Sequence, residues 1–401
     1  MLHSVAEAEA EILRRVPLLP TEDCPLAHAG GRVLRTPLRA DRDVPPFDRV
    51  TMDGYAVRAA ALESGVRRFQ VAGTQAAGMI PLTLQAEDTC IEIATGAVLP
   101  SGTDCVVPYE ETTREGLAVT VLPTAEVPAG SNLHRRGSDH RAGAELVPAG
   151  IRLTSRELAV AASIGAGTLR VSLTPTIAVV ATGDELVEVS APALSPHQIR
   201  RSNDQALRSG LHEAGFPRVE CFHFRDVRSD ILEGMRQILL RFDAVVITGG
   251  VSKGKFDHLP SVLAELAVRN CIHGVAQRPG KPFWFGLTTR GTPVFALPGN
   301  PVSTTVCFRR YVVPALRRMT GAPADRPRHA VLATAVTVRA PLAAFVPVKL
   351  ESTADGRCLA HPHATNTSGD FTSLVGTDGF VELPPGPGEF AAGTGVVAWL
   401  W

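Results

Sequence analysis

Hydrophobic and polar positions repeat with two different periods along this chain, and each change of period marks a change of element. Residues 4–16 have the spacing of an amphipathic helix, with Ser4 and Glu7 placed to form a capping box and Pro17 to stop it. PPFDRVTMDGYAV, residues 45–57, begins with two prolines that hold the chain extended, and Asp53-Gly54 predicts a turn. Asp48 and Asp53 can each cap their own turn through local hydrogen bonds or serve as a pair of acids. From 66 to 127 the period falls to two in short pieces, FQVAG, TCIEIATGAVLP, DCVVPYE and LAVTVLP, which predicts a small β domain interrupted at Thr95-Gly96. A Gly- and Arg-rich connector, 130–143, carries His134, Arg135, Arg136, Asp139 and His140, the two histidines reading as surface residues. Thr154 and Glu157 form a second capping box, with Gly165 suited to the helix's C′ position.

From 176 to 319 apolar runs alternate with helical stretches. TIAVVATGDEL, a helix near 203–214, VECFHF, a helix over 229–241, DAVVITGGVS, a helix over 257–268, FWFG, VFALPGNP and a helix over 301–318 predict βαβ units and a mainly parallel, doubly wound sheet. After 325 the pattern returns to strands (AVLATAVTVRA, FVPVKL, GFVELP, GVVAWL), which predicts a C-terminal β barrel or sandwich. The fold class is therefore α/β plus β and multidomain. The expected partition is 1–41 with 134–170, a β insertion over 42–133, the α/β domain over 171–325 and a β domain over 326–401.

In a doubly wound sheet ligands sit beyond the carboxyl ends of the strands, near the point where strand order reverses. Three breakers fall at such ends: Thr182-Gly183-Asp184-Glu185, Thr248-Gly249-Gly250 and Pro298-Gly299-Asn300-Pro301. The second opens residues 243–258, DAVVITGGVSKGKFDH, where an apolar strand runs into a glycine-rich turn able to face backbone N–H groups toward a phosphate. Gly249–Lys255 matches the first seven places of a Walker A loop, but Phe256 stands where a Ser or Thr would hold magnesium; a packing turn is the plain alternative. In the third breaker Asn300 suits an N-cap and Pro301 the first helical position, with Ser303 and Thr304 in the first turn, where free amides could hold an anion.

Composition narrows the classes. The 401 residues are 45% hydrophobic and 20% charged, enough for two to four cores. Forty basic and forty acidic residues give no net field to attract nucleic acid or an anionic membrane, so any anion site is local. Seven cysteines without a CxxC pair argue against disulfides and structural zinc. No signal-like N-terminus and no apolar run of about 18 residues is present, so a soluble, cytoplasmic protein is expected.

PPFDRVTMDGYAV, TGAVLPSGTDCVV, the 130–143 connector, VVATGDELV, ITGGVSKGKFD, RPGKPFWFG and FALPGNPVS stand in the order found in the MoeA-type molybdopterin molybdenumtransferases, relatives of the gephyrin E domain, and the chain resembles that family over about residues 4–320. The resemblance implies transfer of molybdenum from molybdate to the dithiolene of adenylated molybdopterin, with magnesium-dependent cleavage releasing AMP. It assigns catalytic roles to Asp53, Glu185, Asp226 and Asp257, with Glu185 and Asp257 also holding Mg2+. Acids beside a phosphate cradle would repel the substrate unless a cation stood between them. Substrate contacts are expected from Thr95, Asp139, Thr182, Gly183, Gly249, Gly250, Ser252, Lys253, Lys255, Arg278, Lys281, Pro298, Gly299, Asn300 and Ser303, and from Ser368 of the last domain. Arg278 stands where many relatives have Lys, and Lys253 and Lys255 replace a small apolar and an often acidic residue; a fork replaces a point charge at the first. The resemblance also implies a homodimer whose sites combine Asp53 and Thr95 of one chain with Glu185, Asp257 and Lys281 of the other, and a hand-over from an upstream molybdopterin adenylyltransferase. A non-catalytic gephyrin-like scaffold and a nucleotide-dependent phosphotransferase are the alternatives.

Overall fold

The computed structural model describes residues 2–250, 258–338, 340–386 and 388–401. The first helix, Val5–Arg15, opens at the expected box: Glu7 N–H donates to Ser4 Oγ at 3.2 Å and Ser4 N–H to Glu7 Oε2 at 2.7 Å. Its buried stripe, Val5, Ala8 and Ile12, joins the core on one face of the central sheet. Strands Thr21–Pro25 and Thr168–Ser172 pair antiparallel, and Leu38–Arg39 pairs with Glu145–Val147. A separate apolar cluster of Cys24, Leu34, Val147, Leu153, Leu169 and Val171 lies between them. The helix Ser155–Ser163 has its capping box at Thr154 and Glu157, and Gly165 follows it at φ +72°.

Residues 54–121 form a six-stranded sheet in the order Cys105–Pro108, Gly54–Val57, Thr89–Ile93, Arg68–Gln75, Ala118–Val121, Thr112–Glu115. The turn expected at Asp53-Gly54 is instead the start of a strand. Gly54 is paired on both sides, and a Cβ there would overlap the Val107 carbonyl, so the glycine serves close backbone approach.

The central sheet has the order Val219–Phe224, Ile177–Thr182, Ala244–Thr248, Pro293–Leu297, Trp284–Leu287, Arg269–His273. The first three pairings are parallel and the last two antiparallel. Every residue of Ile177–Thr182 and Ala244–Thr248 is buried, as expected of strands covered by helices on both faces. Leu207 and Leu211 of helix Asn203–Glu213 pack on one face; Ile231, Met235 and Ile238 of helix Arg228–Arg241 pack on the other. The chain leaves Ile177–Thr182 toward one edge and returns on its other side as Ala244–Thr248, which puts the switch point between these two strands. The FWFG strand runs antiparallel, so the parallel pattern covers four strands only. Arg269–His273 was not expected, because its edge position leaves it mostly polar and without an apolar run. The helix expected over 257–268 spans Leu259–Glu265, residue 257 lying outside the described residues. That over 301–318 is two α segments, Pro301–Cys307 and Val313–Thr320, joined by a π-helical turn at Phe308–Val312.

The last region is a barrel. Ala343–Ser352 pairs with Cys358–Pro362, then Arg328–Leu332, Gly395–Leu400 and Gly379–Leu383 follow, and the fifth strand returns to the first. Leu332, Val348, Ala360, Val381, Leu383 and Ala398 fill it.

Candidate active site

Thr182 ends one of the two strands that flank the switch point, and Gly249 directly follows the other. Thr182 is 5% exposed, and its Oγ1 is buried without a hydrogen-bond partner among the described residues. Gly249 has φ +90°, and a Cβ on it would lie 2.8 Å from Thr182 O and 3.2 Å from Thr182 Oγ1. Only glycine fits that place, because the two strand ends pack too closely there for any side chain. Gly250 follows at φ +68° and Gly183 stands at φ +149°. Gly299 closes the far side, the position of a Cβ on it being 3.6 Å from Gly249 Cα. Ser252, Lys253, Lys255 and Asp257 lie outside the described residues.

Glu185 is exposed and curls back over Gly183, Oε2 lying 2.6 Å from where a Cβ would stand on that glycine. Asp226 is half-buried, and its backbone N–H donates to Asp184 Oδ1 at 3.3 Å. Among the described residues no three His, Cys, Asp or Glu side chains gather closely enough to hold a metal by themselves. The Glu185 carboxylate and the unpartnered Thr182 hydroxyl are hard oxygen donors. They suit Mg2+, which keeps most of its water and takes one or two carboxylates together with substrate phosphate.

Beside this crevice a cleft of about 570 Å³ runs between the RPGKP turn, the PGNP turn and the barrel. Arg278, Lys281, Pro298, Asn300, Ser303 and Ser368 line it. Arg278 and Lys281 are exposed and have no carboxylate partner among the described residues. Behind them Gln277 is fully buried: its Nε2 donates to Pro279 O at 3.1 Å and its Oε1 accepts from Tyr311 O–H, which fixes the turn. Asn300 occupies the N-cap but does not cap with its side chain. Its Nδ2 donates to Ser368 Oγ at 2.7 Å, and Val302 N–H donates to Ser368 O at 3.1 Å, so the loop from the barrel uses a first-turn amide that looked free for an anion. Thr304 Oγ1 donates to Pro298 O at 2.5 Å and is not an open donor, while Ser303, although mostly buried, lines the cleft.

The insertion carries a second group. Asp53 Oδ1 accepts Thr95 N–H at 2.6 Å; this bond and the Thr95 hydroxyl hold the carboxyl below its ordinary range. Asp48 bonds Arg136 N–H and Arg135 Nη1, each at 2.7 Å, so neither acid caps a local turn. Strand Leu133–His134 pairs with Arg49–Val50 and brings Arg49 Nη2 to 2.9 Å from His134 Nδ1, with His134 Nε2 2.8 Å from Asp139 Oδ1. A guanidinium can only donate, so Nδ1 accepts and Nε2 carries the proton given to Asp139. His134 is thus a partner of Asp139 rather than a solitary surface histidine. The lining of the basic cleft includes none of Asp53, Thr95, Asp139, Glu185 or Asp226. Gln277, His134 and Asn203, whose side chain bridges two strand ends, were not foreseen, since each acts through a partner distant in sequence; their residue types carry no signal of it.

Residues 3–165 match the MoeA N-terminal region (domain I and II), 178–318 the probable molybdopterin binding domain and 329–401 the MoeA C-terminal region (domain IV). The chain is 38% identical over 373 residues to a molybdopterin molybdenumtransferase of Synechocystis sp., spanning 92% of this chain and 93% of that one. It is 33% identical over 408 residues to that of Synechococcus elongatus, 99% of each chain being covered. A crystal structure of a molybdopterin biosynthesis MoeA protein from Pyrococcus horikoshii superposes with a TM-score of 0.83 at 32% identity, over 100% of this chain and 99% of that one. With the three regions in order and full-length relatives at this identity, the chain belongs to the MoeA-type molybdopterin molybdenumtransferase family.

Proposed function

We propose that the protein is a molybdopterin molybdenumtransferase that inserts molybdenum from molybdate into the dithiolene of adenylated molybdopterin and releases AMP. The observation that carries this reading is the cleft of about 570 Å³ beside the switch point, lined by the exposed cations Arg278 and Lys281, which have no carboxylate partner among the described residues. The backbone around Gly249 and Gly250, with Ser252, Lys253 and Lys255, would cradle the phosphates, and Arg278 and Lys281 would bind phosphate or the incoming oxyanion. Ser368, held by Asn300, would close the cleft from the barrel side. Glu185 and Asp257 would hold Mg2+, which supplies charge neutralisation at the phosphoanhydride. Asp226 would accept hydrogen bonds at the same strand ends, and Asp53, Thr95 and Asp139 would act from the insertion.

The same reading takes the chain as the four modules given above, with the first helix seated on the α/β core, and as a cytoplasmic homodimer supplied by a molybdopterin adenylyltransferase. The test is molybdate-dependent formation of molybdenum cofactor from adenylated molybdopterin by the purified protein. Glu185→Gln is expected to lower turnover about a hundredfold, as loss of a charge-stabilising ligand does, with folding retained. Near-normal turnover in that variant would remove Glu185 from the metal site, and ATP hydrolysis with no pterin chemistry would favour the phosphotransferase.

A further inference from the structure

Asn203 begins the helix Asn203–Glu213, yet its side chain reaches across the carboxyl ends of two neighbouring strands. The amide nitrogen has two hydrogens, and both are used. One goes to Thr248 Oγ1 at 2.9 Å, the last residue of Ala244–Thr248; the other goes to Gly299 O at 2.7 Å, in the turn after Pro293–Leu297. Thr248 and Leu297 are opposite in the parallel register, so Asn203 spans one rung of the sheet just where its ladder ends. Gly249 N–H bonds Leu297 O at 3.2 Å, and together these contacts bring the Gly249 and Gly299 backbones face to face beside the buried, unpartnered Thr182 Oγ1.

The Gly299–Asn300 peptide is trans, as among the described residues only the bonds before Pro45 and Pro279 are cis. In a trans peptide C=O and N–H point in opposite directions. With Gly299 O committed to Asn203, the Asn300 N–H must face away from that helix. We propose that Asn203 is a positioning residue for substrate binding: it turns the Gly299–Asn300 peptide so that a donor rather than a carbonyl oxygen faces the basic cleft that Asn300 lines with Arg278 and Lys281, where an anionic group of the pterin substrate fits. This rests on the functional reading above. A freely rotating peptide would present its carbonyl to the anion part of the time, and each such orientation repels the substrate.

Asn203→Asp tests this with almost no change in shape. The carboxylate can still accept from the Thr248 hydroxyl, but it has no hydrogen for Gly299 O and repels it. The expected result is a rise of about tenfold or more in KM for adenylated molybdopterin and in the dissociation constant for molybdopterin, with kcat within about threefold, since binding shared by ground and transition states is what is lost. Asn203→Ala should show the same split, so a folding defect in one variant leaves the other as a check. A merely structural asparagine would lower the active fraction, seen as a fall in kcat at unchanged KM, and that outcome overturns the proposal. Unchanged KM and kcat in both variants overturns it too. A wild-type protein that binds no pterin overturns the functional reading itself; a wild type that binds beside an Asn203→Asp variant of equal affinity overturns only the role of Asn203.

Discussion

Asp53 shows how far a residue type can be read before its surroundings are known. An acid ahead of a glycine suggested a local turn, yet its Oδ1 takes the N–H of Thr95 from another part of the sheet. That bond favours the charged carboxylate, and the folded pKa lies below the unfolded one. The stabilisation is therefore fully present above the ordinary carboxylate range of about 4 and is lost as pH falls through the lowered folded value. Asp53→Asn removes the titration. The difference in melting temperature between wild type and variant should stay flat above about pH 5 and shrink below about pH 4. A difference that widens on acidification would mean that the Thr95 bond is absent in solution. The same contrast explains which residues of the candidate site were legible. Glycines and hydroxyls at strand ends announce themselves because a breaker after an apolar run is rare. Asn203 and Gln277 do not, because Asn203 meets Gly299 96 residues away and Gln277 meets Tyr311 34 away.

Elements were legible where local chemistry decides them. Both capping boxes form as the spacing predicts, because Ser4–Glu7 and Thr154–Glu157 need nothing beyond four consecutive residues. Where tertiary packing decides, the pattern falls short: the polar edge strand Arg269–His273 and barrel strand Cys358–Pro362 have no apolar run, and the long helix is interrupted at Phe308–Val312. That interruption holds Arg310, which is 4% exposed. Its Nη2 donates to Glu9 Oε2 of the first helix at 2.9 Å and its Nε to Glu382 Oε2 of the barrel at 3.0 Å, with the guanidinium 4.4 Å from the Trp399 ring centroid. Nη1 lies 2.8 Å from Glu9 Oε1 but off the N–H axis, so that contact is electrostatic only. One side chain thus ties three elements that lie far apart in sequence. Arg310→Met should lower stability by about 3 kcal/mol, because it strands two partly buried carboxylates beside each other. Arg310→Met with Glu382→Gln should recover part of that loss, since one uncompensated charge is gone. An unfolding free energy from urea titration for Arg310→Met within about 0.5 kcal/mol of wild type would show that the cluster contributes nothing net.

At the scale of the whole molecule the order of the regions was legible, because the changes from period 3.6 to period 2 and back are long, while their mutual placement was not, because no local pattern encodes it. The structure puts Asp53 and Thr95 on the insertion's own sheet, and the basic cleft beside the switch point is lined by no residue of 42–133. The two ends of the 42–133 stretch are held to each other by Arg49–Val50 pairing with Leu133–His134 and by Asp48 with Arg135 and Arg136. A two-fold dimer of the kind proposed could then present each insertion to the partner's crevice, and an isologous interface would make two equivalent composite sites. Complementation tests this. Asp53→Ala and Lys281→Ala homodimers should each be nearly inactive, because every site lacks one contributor. After unfolding and joint reassembly, about half the dimers are mixed, and each mixed dimer has one site with both lesions and one with neither. About a quarter of wild-type activity should return. If labelled subunits are seen to exchange and no activity returns, each site is built within one chain, and the insertion serves the cleft of its own protomer.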